Sequence, residues 1–157
     1  MTETLQPPRF AVFHSPGHDL RPVLDALREV RQDAEITLWI PKGHKLPEAI
    51  SALADAVAET ELPHYSPRHV RACLRLIRGL RAQRYNAFTV LFDSPQLRLL
   101  AALSGASQCW LATGDGRLAA LPANPLRVLA EETLRGIAGH LTYLRVWISV
   151  HVFPARR

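Results

Sequence analysis

Apolar positions along this chain fall into short blocks whose spacing alternates between a strand-like and a helix-like period. Arg9 to His14 (Arg-Phe-Ala-Val-Phe-His) is an apolar run closed by the turn residues Ser15, Pro16 and Gly17, and it predicts a buried first strand. Behind Asp19, a good helix N-cap, Leu20, Val23, Leu24, Leu27 and Val30 recur every three or four residues, the stripe of a helix lying on a sheet. Pro22 falls in the first turn of that helix, where its missing N–H costs little. Glu35 to Ile40 is rich in β-branched and aromatic residues and is closed by Pro41, Lys42 and Gly43, so a second strand is predicted there.

The same alternation continues downstream. Pro47 to Ala54 predicts a short helix, Ala56 to Thr60 a weak third strand, and Pro63 to Pro67 a loop. Arg68 to Arg84 predicts a long amphipathic helix with Val70, Leu74, Ile77 and Leu80 turned inward. Ala87 to Phe92 is a strand ending at Asp93-Ser94-Pro95, Leu97 to Leu103 a helix, and Gln108 to Ala112 a further strand before the Gly114-Asp115-Gly116 turn. After Pro125 the pattern becomes helical to about Phe153.

Strands alternating with helices predict an α/β fold: a single Rossmann-like, mainly parallel sheet with helices on both faces, followed by a basic, apolar C-terminal extension. The expected organisation is a disordered tail over 1–8, the sheet domain over 9–122 and the extension over 123–157, a docking or membrane-surface helix. Ligands of such sheets bind at the carboxyl ends of the strands. Those ends are His14 to His18, Pro41 to His44, Asp93 to Pro95 and Thr113 to Gly116, and the ligand-binding loops are expected at His14, Ser15, Gly17, Asp93 and Ser94.

Composition narrows the class. At 157 residues, with 48% hydrophobic and 21% charged residues, the chain is sized and composed to bury one core, which excludes wholesale disorder. The polar, proline-broken N-terminus lacks a secretory pattern. The longest apolar stretch, Ile137 to Phe153, is interrupted by His140, Arg145 and His151, short of the roughly 18 uninterrupted residues of a spanning helix. Cys73 and Cys109 are too few for a disulfide scaffold, and a reduced, cytoplasmic protein is expected.

Charge is unevenly divided: six Lys or Arg against ten Asp or Glu over 1–67, then thirteen against four over 68–157, so the second half would meet an anionic partner. Arg71, Arg75 and Arg78 share one helix face, suited either to anion or lipid contact or to simple solvation. No aromatic residues interleave with these arginines, which argues against nucleic acid. In the C-terminal segment Arg145 and Trp147 belong to a basic, aromatic pattern that suits anionic lipid, a partner chain or packing on the same domain.

Among candidate chemical groups, His18 and Asp19 at a strand end and helix start have the types of a general base and its orienter. The competing reading is that Asp19 caps the helix and His14 and His18 are solvated. Seven histidines are present, yet none forms a His-x-x-x-His pair on a helix with an acidic neighbour, and neither a metal nor another cofactor is expected.

Taken in order, Gly17-His18-Asp19-Leu20-Arg21-Pro22-Val23-Leu24-Asp25-Ala26-Leu27-Arg28 and Asp33 to Ile40 resemble the start of the bacterial heptosyltransferases, glycosyltransferase family nine. Leu80 to Asp93 and Leu99 to Ala106 resemble a later part of the same N-terminal half, so the likeness spans roughly residues 9 to 117. The resemblance implies the acceptor-side Rossmann-like domain of a two-domain enzyme that moves heptose from a nucleotide-sugar onto lipopolysaccharide core. That family carries a Gly-Asp pair whose aspartate is the candidate base; here His18 separates Gly17 from Asp19, and Asn86 stands where the family has an aspartate. The donor domain that would hold the nucleotide-sugar lies outside this sequence.

Two function classes follow, beside a third, a small-molecule binding module that uses the strand-end loops. One is a non-catalytic, glycosyltransferase-like accessory subunit, cytoplasmic and peripheral on the inner membrane face, bound to another chain, a second copy or an anionic membrane surface. The other is a half-enzyme of surface-polysaccharide synthesis that works with a second chain.

Overall fold

The computed structural model describes residues 7–14, 17–61 and 70–136. The elements run β1 (Arg9–Phe13), α1 (Arg21–Val30), β2 (Glu35–Pro41), α2 (Glu48–Ser51), β3 (Ala56–Thr60), α3 (Val70–Gln83), β4 (Ala87–Val90), α4 (Pro95–Leu103), β5 (Gln108–Ala112) and β6 (Leu118–Leu121). A further helix, α5, covers residues 125–136. The six strands form one sheet in the order β3-β2-β1-β4-β5-β6. All pairs are parallel except β5 with β6, which are antiparallel. The fold is therefore α/β and Rossmann-like, with the strand order that winds outward in both directions from β1 and β4.

Parallel strands need helical crossovers, and these helices cover both faces. Side chains alternate along β1, so Phe10 and Val12 face one core while Ala11 and Phe13 face the other. On the first face Leu20, Val23, Leu24 and Leu27 of the α1 region meet Ile36, Leu38 and Ile40 of β2. On the second, Cys73, Leu76 and Leu80 of α3 and Leu97, Leu100 and Ala101 of α4 meet Phe88 and Val90 of β4. Burying each large aliphatic side chain in these layers contributes about 1.5–3 kcal/mol.

Several predicted features shift. Val30 and Leu74 are 49% and 46% exposed; on α3 Leu80 is buried and Ile77 half-buried against the core as the periodicity predicts, whereas Cys73 and Leu76 take the inward place expected of Leu74. Arginines at intervals of three and four define that helix's outer face, and Leu74 sits among them. Strand β6 was not predicted; Leu-Ala-Ala-Leu has little strand character and is held by pairing across the Gly116 turn. Gly116 has φ +81°, and a Cβ there would lie 2.8 Å from the Pro22 carbonyl oxygen, so the turn seats directly against the start of α1. Asp19 is one residue too early to be the N-cap: Leu20 holds that position, and the Asp19 carboxylate instead accepts from the Arg21 N–H at 3.0 Å. The predicted 63–67 loop, the Val70 side chain and residues 137–157 of the extension lie outside the described residues.

At the amino edge of the sheet, Asn86 joins three strands. Its Oδ1 accepts from the Arg9 N–H at 2.8 Å, its N–H donates to the Arg9 carbonyl at 2.7 Å, and its carbonyl accepts from the Gln108 N–H at 3.0 Å. Asn86→Ala removes the side-chain acceptor and is expected to lower stability by about 0.5–1.5 kcal/mol, whereas Asn86→Asp keeps an acceptor and costs less. Urea denaturation checks this; equal midpoints for wild type and Asn86→Ala would show that the bond carries no weight.

Candidate functional site

The winding order places a crevice between the carboxyl ends of β1 and β4, because the chain leaves β1 toward α1 on one face and leaves β4 toward α4 on the other. His14 follows β1 and extends its ladder, donating its backbone N–H to the Trp39 carbonyl at 2.8 Å. Strand β2 ends one step beyond, and the chain turns back through Pro41-Lys42-Gly43-His44, closed by the His44 N–H on the Pro41 carbonyl at 3.0 Å. Gly43 has φ +76°, as the third position of a type II turn requires. This turn swings the His44 imidazole onto His14, with Nε2 to Nε2 at 3.0 Å and ring centroids 4.8 Å apart.

His14 is 5% exposed. Burial, and then the neighbouring His44 and His18, hold its imidazole below the ordinary value, so the ring is neutral at pH 7. His18 is half-buried and stands edge-on to Phe92, centroids 6.2 Å apart. Phe92 is itself 53% exposed, an aromatic face at the mouth of the crevice. The Nδ1 atoms of His14 and His18 are buried with no hydrogen-bond partner.

The carboxylates around this crevice are engaged. Asp19 accepts from the start of α1, and its side chain is exposed. Asp93 takes two bonds from Arg98, Nε to Oδ1 at 2.5 Å and Nη2 to Oδ2 at 2.7 Å. The bonded guanidinium holds the Asp93 carboxyl below the usual carboxylate range. Asp115 is bonded to the Thr113 hydroxyl and pairs with Arg117 at 3.1 Å. Ser94 is the N-cap of α4, its Oγ accepting from the Leu97 N–H at 3.2 Å.

The structure thus brings His14, Gly17, His18, Asp93 and Ser94 to one edge but gives Asp93, Ser94 and Asp19 structural partners. Ser15, Arg145 and Trp147 lie outside the described residues. On α3, Arg71, Arg75 and Arg78 are all exposed, and Arg75 pairs with Glu61 at 2.8 Å beside a cleft of roughly 200 Å3 that Trp39 also lines. Among the described residues no group of three or more His, Cys, Asp or Glu side chains is placed to hold a metal ion, and no helix is long and apolar enough to cross a membrane. Cys109 is pushed up to about 11 by burial, as an inert core thiol.

Sequence reasoning missed three contributors. His44 is thirty residues from His14, and only the parallel register that sets Phe13 beside Trp39 predicts their meeting. Phe92 was assigned to the strand, yet it lies past the end of β4. Arg98, whose side chain is 15% exposed, also reaches Glu132 of α5 at 3.6 Å, so one guanidinium ties the β4–α4 loop to α5.

Comparison of this chain with family models, with curated proteins and with solved structures finds no match.

Because Asp93 is depressed by Arg98, its contribution to stability is present above the ordinary carboxylate value and is lost as pH falls through its folded value. Arg98→Met removes the partner, so its denaturation midpoint should lie below that of wild type at pH 7, and the two should converge in acid as pH falls through the depressed Asp93 value, below the ordinary carboxylate range. A gap between the two proteins that does not narrow in acid would show that Arg98 acts through packing alone.

Proposed function

We infer that this chain is a glycosyltransferase-like, Rossmann-type binding domain that serves as a non-catalytic accessory subunit, holding a small ligand at the carboxyl edge between β1 and β4. The observation that carries this reading is the ring pair at that edge: the half-buried His18 stands edge-on to an exposed Phe92 ring where the sheet reverses its winding. An aromatic face with one polar edge suits a flat or ring-shaped ligand, a nucleobase or a sugar. The neighbouring carboxylates Asp19, Asp93 and Asp115 are bonded to the helix start and to arginines, which supports binding over base catalysis.

Work as part of a complex is supported by α5, where Leu126 and Leu134 are 75% and 67% exposed while Val128 is buried. The exposed Arg71 and Arg78 on α3 flank Leu74, a surface suited to an anionic partner or the anionic face of a membrane. One observation keeps the half-enzyme reading alive beside this one. The half-buried His18 makes no hydrogen bond through its Nδ1, and an imidazole is the type of group that accepts a proton from an acceptor hydroxyl.

The test is thermal unfolding of the full chain with nucleotides, nucleotide-sugars and sugar phosphates, beside Phe92→Ala and His18→Ala. A ligand at about 100 times its Kd is expected to raise Tm by about 5–10 °C in wild type, with the shift lost in Phe92→Ala. No shift from any of these classes, or a shift indifferent to both substitutions, would overturn the site. Turnover of a nucleotide-sugar that His18→Ala abolishes would replace the accessory reading with the half-enzyme one.

A further inference from the structure

His14 and His44 present the same ring nitrogen to each other across 3.0 Å, so two lone pairs share whatever lies between them. In the metal-free protein that is one proton. The same separation is also a chelating distance: with metal–nitrogen bonds of about 2.0–2.1 Å, an ion set to one side of the 3.0 Å line subtends about 90–100° at the metal. That is the cis angle of square-planar and octahedral coordination, the geometries of copper(II) and nickel(II).

Two further features fit an ion. Both histidines are anchored by backbone rather than by long side chains: His14 by the ladder bond to Trp39 and His44 by the Gly43 turn. His14 is also buried, which fixes its ring against that of His44.

We propose that His14 and His44 form a two-imidazole site for a divalent ion of the copper or nickel class at the carboxyl edge of β1 and β2. The remaining coordination positions go to water, since no set of three protein ligands converges among the described residues. The site does not depend on the ligand inferred for the β1–β4 crevice, because Phe92 takes no part in it. Helix spacing motifs do not reveal it: the two ligands come from neighbouring parallel strands, brought level by register.

Titration of the full chain with nickel(II) and with copper(II), followed by calorimetry and by the ring resonances of the histidines, tests the proposal. Expected are one saturable site in wild type, selective changes at the His14 and His44 rings, and affinity reduced about tenfold or more in both His44→Ala and His44→Gln. The Gln variant keeps the size of the side chain, and the ring resonances of wild type need no variant at all, so a folding defect in His44→Ala does not obscure the result. Absence of saturable binding, ring changes confined to other histidines, or an affinity that His44→Gln leaves intact would overturn it.

Discussion

Strand β1 is paired on both sides, with β2 and with β4, and is covered on both faces, and the rest of the molecule is arranged around that burial. A parallel strand in that position demands a helix on each side, and the chain supplies α1 on one face and α3 and α4 on the other. The reversal of winding at β1 and β4 then leaves a crevice at their carboxyl ends that no crossover covers. His14, one residue past β1, is placed there by the same backbone ladder that builds the sheet.

This central constraint was legible in the sequence, because strands buried on both faces are written as continuous apolar runs. Arg9–Phe13 and Glu35–Pro41 follow their apolar and β-branched runs within a residue or two, while Ala56–Thr60, an edge strand that is mostly exposed, has the weaker pattern. Features fixed by contacts distant along the chain were not legible. Strand β6 is alanine-rich and exists through its partner, Leu74 is turned outward by the arginine face it shares, and Cys73 is turned inward. The loops that form the site were identified from strand ends alone, but the meeting of His14 with His44 needed the register of two strands and the sense of one glycine turn.

Chemistry at the carboxyl edge is divided between groups that hold the fold and groups left over. Asp19, Asp93 and Ser94 looked like candidate site residues because they sit at strand ends and helix starts, and those are also the places where caps and ion pairs are needed. What remains at the edge is imidazole and aromatic surface: His14, His18, His44 and Phe92. Arg98 links this edge to α5 through Asp93 and Glu132, so the helix bearing exposed leucines is anchored to the same loop that borders the crevice.

The fold delivers a buried, neutral His14 against His44 at the β1 edge. Histidine-selective two-dimensional NMR of the full chain, recorded as pH is varied, reads this directly. The expected result is a His14 ring that stays neutral at pH 7, titrates below the ordinary 6.5, and has Nε2 in a hydrogen bond with the His44 ring. A His14 ring that titrates at or above 6.5 with both nitrogens open to solvent would contradict it.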